Sequence, residues 1–428
     1  MSDNPKIGFA GLSHLGTVSA VASAAKGFET VGFDLDGARA ARCTEGAFAI
    51  SEPGLEKLAA ANRGRLRFSA EAADLGARDV VFAALDVATD DEGMSDLAAL
   101  DGLIETVMPA LRPDATLVIL AQVPPGYTRR RAKAGLALHY QVETLIFGRA
   151  MERAMEPERF IVGCADPTEP LPAPYRHFLE AFGCPILPMA YESAELAKIA
   201  INMCLAGSIG VANTMAELCE KTGADWREIV PALRLDRRIG DHAYLMPGLG
   251  LAGGNLERDL ATVSRLAAQH GTDAGVVAAW LANSRHRRAW AARTLRENLG
   301  TENGGRLVAV WGLAYKENTN STKNSPALAT IAQLGDMRVR VHDPVVPAEG
   351  LDHPRLEEAT SPLGAAEGAD ALLIMTPWPD YGAVDVAALA AAMRGRIVID
   401  PYGVLDGGRV REAGMDHYTL GRPALRRA

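Results

Sequence analysis

The sequence predicts an α/β chain built as two doubly wound parallel-sheet domains joined by a long central helix, and three observations carry that prediction. In the first part of the chain, short apolar runs bounded by turn residues alternate with helical stretches: KIGFAG, a helix through Ala25, ETVGFDLD, then DVVFAAL and TLVILAQV. Such alternation is the mark of a parallel sheet covered by helices on both faces. Residues 192–222, ESAELAKIAINMCLAGSIGVANTMAELCEKT, contain no proline and are apolar or small almost throughout, which predicts one long buried helix. A second alternating series then begins at RLVAVWGLAY and runs through MRVRVHDP, DALLIMTP and RIVIDPYG.

Taken in order, these elements predict three regions: 1–190, a sheet domain; 191–300, a central helical and dimerisation region that includes a further helical segment at 275–298; and 301–428, a second sheet domain. The Pro-rich stretch DPTEPLPAP is followed by HFLEAFGCPILPM, another helix and strand, so it reads as a loop within the first domain.

Bulk properties narrow the function. A chain of 428 residues with 48% hydrophobic content is too long for one core and apolar enough for two or three. A formal charge of -9 gives no general attraction for nucleic acid or an anionic membrane, so an anionic ligand must be held by locally placed donors, and a small-molecule partner is expected. The opening MSDNPKIGFAG lacks a secretory signal, and no uncharged apolar run reads as a membrane span, so a cytoplasmic location is expected. The five cysteines are scattered singly without a CxxC pair, which fits reduced structural thiols and no metal site.

The segment IGFAGLSHLG places Gly11, Ser13 and Gly16 in GxGxxG spacing, directly after a strand and before a helix. Gly11 permits the tight turn and Gly16 the close approach of helix and strand. Ser13 stands where a glycine usually faces a pyrophosphate, and its hydroxyl can donate. His14 and Leu15 open the helix, His14 reading as a helix-start residue and not a catalyst. Asp34 ends the next strand, where a carboxylate accepts ribose hydroxyls and repels a 2′-phosphate. The site therefore reads as a Rossmann-like dinucleotide site for NAD over NADP; the competing explanation is a turn used only for packing.

EGAFAISEPGLEKL, with Glu52, Pro53, Gly54 and Leu55, resembles the segment after the second strand of the UDP-glucose/GDP-mannose dehydrogenase family. Further segments are similar in order: VPPGYTR, PERFIVG at 157–163, SAELAKIAIN at 193–202, DRRIG at 236–240, PGLGLAGGNLERD at 247–259, GLAYKENTNSTKNSP at 312–326 and HDP at 342–344. The resemblance covers essentially the full chain. It implies an NAD enzyme that binds a nucleotide sugar, carries two Rossmann-like domains and dimerises through the central helix. Family members oxidise a sugar C6 alcohol twice, the second time through a cysteine thiohemiacetal and thioester.

By the same resemblance, Lys198 and Asn202 match a lysine and asparagine four residues apart on one helix face, placed to stabilise an alkoxide. The competing explanation for Lys198 is a solvated surface residue, which so apolar a helix disfavours. Asp259 matches the proton-handling aspartate. Glu143 in QVETLIFG aligns with the glutamate of an Asn-Pro-Glu-Phe-Leu motif whose other residues Gln141, Val142 and Thr144 lack; a solvated strand-end carboxylate explains it nearly as well. Arg238 matches an arginine that reaches the neighbouring subunit's nucleotide sugar. Tyr244, Gly250, Gly253, Lys316 and Tyr402 fall at substrate positions, Gln122 and Lys323 at cofactor positions.

The departures are concentrated. Where the family reads Gly-Gly-Ser-Cys-Phe-Pro-Lys-Asp, this chain reads Gly253, Gly254, Asn255, Leu256, Glu257, Arg258, Asp259. Asn255 holds the nucleophile's place, and a delocalised amide nitrogen cannot carry an acyl group as a thiolate does. Gln122 replaces a threonine, Ala252 a glycine, Ser321 and Lys323 an aspartate and an arginine, and Tyr402 an arginine. The hydride-transfer parts are kept while the acyl-transfer part is not. The first expectation is thus a two-electron alcohol–carbonyl interconversion, with Asn255 orienting the substrate. Full oxidation through an aldehyde hydrate, an epimerase-like isomerisation with bound NAD, and a non-catalytic binding homologue are the alternatives.

Overall fold

The computed structural model describes residues 4–89, 94–133, 135–252, 254–300 and 305–427. The chain divides into two compact units, Met1–Ile201 and Asn202–Ala428.

The first unit is an eight-stranded sheet. Its strands are β1 (Ile7–Ala10), β2 (Thr30–Phe33), β3 (Leu66–Ser69), β4 (Val80–Ala84), β7 (Thr116–Leu120), β8 (Ala137–Gln141), β9 (Phe160–Cys164) and β10 (Ile186–Ala190), while β5 (Ala88–Thr89) and β6 (Ser95–Asp96) form a separate antiparallel pair. The order is β3-β2-β1-β4-β7-β8-β9-β10. The central strands β1, β4 and β7 are buried at every position because both faces are covered. Phe9, Val80, Phe82 and Val118 pack under the helix His14–Ala25, and Ala10, Val81, Ala83 and Leu117 pack on the other face against Leu100, Leu103 and Ile104.

One strand pairing departs from the expected all-parallel sheet. β8 pairs β9 antiparallel, Tyr140 opposite Gly163 and Gln141 opposite Val162, while every other pairing in this sheet is parallel. An apolar run reads alike in either direction, so sequence patterning does not distinguish the two. The reversal has a consequence for the site. The connection from Gln141 to Phe160 starts and ends at the carboxyl edge of β8, and Glu143 stays at that edge.

The second unit begins within the helix Tyr191–Thr222, continues through helices Trp226–Leu235, Asn255–His270, Gly275–Arg288 and Trp290–Leu299, and ends in a six-stranded parallel sheet. Its strands are β11 (Leu307–Trp311), β12 (Arg338–His342), β13 (Leu356–Glu358), β14 (Ala371–Ile374), β15 (Ile397–Ile399) and β16 (Asp416–Tyr418), ordered β13-β12-β11-β14-β15-β16. Counted from its own first strand, this is the 3-2-1-4-5-6 order of a dinucleotide-type fold.

The part of the long helix from Asn202 onward is held inside the second unit by small and polar residues. A Cβ on Gly207 or Gly210 would lie 3.0 or 3.1 Å from the Trp280 ring, so these two glycines give the indole its seat. They are kept although each weakens a helix by about 1 kcal/mol. By length and composition this helix could cross a membrane. Yet buried Asn213 accepts the Gly248 N–H at 2.8 Å and buried Asn202 donates to Asp259, so these two polar positions are bonded within the second unit.

Candidate active site

The cofactor cradle is built where β1 and β4 lie side by side and the strand order reverses, the place where α/β sheets bind ligands. Gly11 takes φ +96°, and a Cβ there would lie 2.5 Å from the Ala84 carbonyl oxygen. A Cβ on Gly16 would fall 1.8 Å from the Gly11 carbonyl oxygen, so no larger residue fits either position. Asp34, buried at the end of β2, accepts N–H groups from Leu12 at 2.7 Å and Asp36 at 2.8 Å, and the Arg39 guanidinium at 3.1 Å. The turn, the close helix and the carboxylate together fit the adenosine half of NAD.

Two carboxylates that the sequence reading did not place are part of this cradle. Glu52, whose side chain is fully buried, accepts His14 Nε2 at 2.7 Å, Gly148 N–H at 2.8 Å and Ala150 N–H at 3.1 Å. His14 packs its ring on Phe147, centroids 4.2 Å apart. Asp86, just past β4, accepts the Leu15 N–H at 3.1 Å, and its own N–H donates to Ser13 Oγ at 3.1 Å. Ser13 itself makes no capping bond to the helix.

Lys198 and Glu143 meet in the first unit. Nζ lies 3.4 Å from Oε2, both side chains mostly buried, and Glu143 is further fixed by accepting the Leu145 N–H. Gln122 is half-buried in the loop after β7. That loop is anchored by Glu195, a fully buried residue of the long helix, which accepts the N–H groups of Gly126 and Thr128. Burial pushes the Glu195 carboxyl up, against the pull of those hydrogen bonds.

In the second unit Asn202 donates to Asp259, and Arg258 Nε lies 3.4 Å from the other oxygen of that buried carboxylate. Asn255 is the first residue of the helix Asn255–His270 and is exposed; Gly254 before it has φ +89°. The stem of Lys323 lies against Gly254, its Cγ 3.3 Å from where a Cβ would be. Asn324 donates to Glu257, so the loop 319–325 is pinned to this helix start. Gly250, at φ +83°, has the Ser284 carbonyl 2.5 Å from where a Cβ would sit. Gly253 lies outside the described residues.

The other expected substrate residues are dispersed over the second unit. Tyr244 is 54% exposed. Lys316 lies 5.7 Å above the Tyr315 ring, and burial together with Glu317 pushes the Tyr315 hydroxyl up to about 12. Burial, Glu317 and Asp400 likewise push the Tyr402 hydroxyl up. Arg238 is exposed and directs its guanidinium at Asp236, with Nη2 at 2.6 Å and Nε at 3.0 Å. The sequence also left unremarked that the second sheet repeats the cradle's design. Gly312 has φ +91°, and Asp343 at the end of β12 accepts the N–H groups of Leu313 at 2.6 Å and Ala314 at 3.2 Å.

Three segments of the chain match the UDP-glucose/GDP-mannose dehydrogenase family: its NAD-binding domain over 5–178, its central domain over 192–285 and its UDP-binding domain over 309–407. The chain belongs to this family. It is 31% identical to a UDP-glucose 6-dehydrogenase of Pseudomonas aeruginosa, over 96% of each chain. It is 30% identical to one of Rhizobium meliloti, covering 98% of this chain and 100% of that one. Among solved structures, a UDP-glucose dehydrogenase from Pyrobaculum islandicum superposes with a TM-score of 0.87 at 29% identity, over 98% of both chains. Family membership accounts for the cradle: these enzymes use NAD, and the matched N-terminal domain is the one that binds it.

Proposed function

We propose that this chain is an NAD-dependent oxidoreductase that carries out a two-electron oxidation of the primary alcohol of a nucleotide sugar, or a related sugar or nucleoside, to the aldehyde without a covalent thioester. The relatives named as UDP-glucose 6-dehydrogenases make a UDP-sugar the first substrate class to test. One observation carries the proposal. Asn255, not a thiol, stands exposed at the first turn of its helix, and all five cysteines lie elsewhere: Cys43, Cys164 and Cys219 are buried, Cys184 is half-buried and Cys204 is exposed on the long helix.

Bound NAD would supply the hydride acceptor, with Gly11, Ser13, His14, Leu15, Gly16 and Asp34 holding it and Gln122 and Lys323 as the further cofactor residues that the resemblance implies. Lys198, one helical turn before Asn202 on the same helix, places an ammonium to hold the oxyanion that develops as the alcohol loses its proton. Glu143 fixes that ammonium by its ion pair. Asp259 takes the proton through water, and the Asn202 amide holds the carboxylate in one orientation for that task. Asn255 orients the carbonyl. Tyr244, Gly250, Gly253, Lys316 and Tyr402 complete the substrate side in this reading, and Arg238 serves a neighbouring subunit. The test is stoichiometry: one NADH per sugar is expected, and two would overturn the two-electron step.

The same reading includes a homodimer through the long helix and a cytoplasmic location. Cys204, Val211, Met215 and Leu218 are exposed on that helix at spacings of 7, 4 and 3, one apolar stripe, with Val211 56% and Leu218 51% exposed. A second copy of this stripe is its partner. Val211→Asp should convert a dimer to a monomer in sedimentation analysis, and a monomeric parent protein would sink the assignment.

A further inference from the structure

The helix His14–Ala25 has no acidic residue in its first turn and no capping bond from Ser13, so its N-terminal N–H groups are left to partners from elsewhere in the fold. Asp86 supplies one. Its carboxylate crosses from the loop after β4 to the Leu15 N–H at 3.1 Å, and the Asp86 N–H on Ser13 Oγ holds that loop in place. The helix terminus is thus a partner of the Asp86 carboxylate, which is otherwise exposed to solvent. Helix N-termini of this kind bind phosphate by the same donors and the same positive potential. A carboxylate and a dinucleotide pyrophosphate therefore compete for the Leu15 N–H, and with both present two anions share one helix end.

We propose that Asp86 is an affinity-setting residue of the cofactor site: its carboxylate stands in for a phosphate oxygen at the start of the first helix and must yield that place when the dinucleotide pyrophosphate binds. Its effect is to weaken binding of NAD and NADH alike, since both bring the same pyrophosphate. Asp86 is exposed, so its removal leaves the core packing intact. Asp86→Asn keeps the shape and an acceptor but removes the charge, and Asp86→Ala removes both.

Isothermal titration with NAD, NADH and adenosine tests this on the purified full chain. Both variants should bind NAD and NADH more tightly, by on the order of tenfold for a like charge removed from this distance, and the gain should shrink in high salt. Adenosine, which carries no phosphate, should bind each variant as it binds the parent. Unchanged or weaker NAD binding by Asp86→Asn overturns the proposal. An equal gain for adenosine overturns it too, because the effect would then lie outside the pyrophosphate position. Amide exchange adds a readout independent of activity: Leu15 should be protected in the unliganded parent and lose that protection in Asp86→Ala.

Discussion

Glu195 accepts the Thr128 backbone N–H at 2.8 Å across 67 residues of sequence, and its other oxygen takes the Gly126 N–H. The carboxylate thereby ties the loop that follows β7, and with it Gln122, to the helix that carries Lys198. Replacing it with alanine takes the acceptor from two backbone donors beside a buried helix position, each worth about 1–3 kcal/mol when orphaned. Glu195→Ala should lower unfolding stability by roughly 2–5 kcal/mol by denaturant titration. Glu195→Gln, which retains one acceptor, should lose about half as much. A loss under 1 kcal/mol for alanine would mean that the loop does not depend on this bond.

Asp34 predicts cofactor choice. Its carboxylate bonds the Leu12 N–H and holds the Arg39 guanidinium at 3.1 Å, so one residue both shapes the turn and neutralises the nearest cation. Asp34→Asn keeps an acceptor for Leu12, removes the charge that repels a 2′-phosphate and frees Arg39 to meet one. The ratio of kcat/KM for NADP over NAD should rise by about tenfold or more, roughly 1.4 kcal/mol. No change in that ratio would place the ribose away from Asp34.

The glycine turn and Asp34 were legible because strand, turn and helix are consecutive in sequence and the chemistry of each step is local. The central strands were legible for a similar reason, since burial on both faces leaves an unbroken apolar run such as Val80–Ala84. Asp86 and Glu195 were not. Their partners lie 71 and 67 residues away, and only the adjacency of β1 with β4, or of the long helix with the loop after β7, brings them together. Glu52 belongs to a motif visible in the sequence, but its role as acceptor for His14, Gly148 and Ala150 exists only in three dimensions. The antiparallel β9 escaped for another reason: strand direction leaves no trace in an apolar pattern.

His139 on β8 makes the first unit acid-sensitive. Burial pushes its pKa down to about 4, opposed only in part by a hydrogen bond with the Gly163 backbone. The unfolded chain takes up this proton near pH 6.5 while the folded chain resists it until about 4, so stability is lost as pH falls through that window. At about 1.4 kcal/mol per unit the full loss is about 3–4 kcal/mol. His139→Gln should remove that part of the slope between pH 6.5 and 4, read as the difference between parent and variant in denaturant melts. Parallel curves would show that the imidazole protonates equally in both states.

Asn255 offers the sharpest test of the chemistry. It occupies the first position of a 16-residue helix, next to the Gly254 backbone against which the Lys323 stem packs, and it is exposed. A thiol there meets the positive end of the helix, which lowers a cysteine pKa below its usual value of about 8.5. Asn255→Cys should therefore fold as the parent does, within about 0.5 kcal/mol for an exposed change, and react with iodoacetamide at half-maximal rate well below pH 8.5. With a reactive sulfur in place and Lys198, Asn202 and Asp259 unchanged, the aldehyde can be captured and oxidised again, so NADH per sugar should rise from one toward two. If the thiolate forms and the stoichiometry stays at one, the aldehyde carbon does not come within reach of position 255, and the substrate is seated differently from the alcohol that the retained lysine and aspartate are arranged to oxidise.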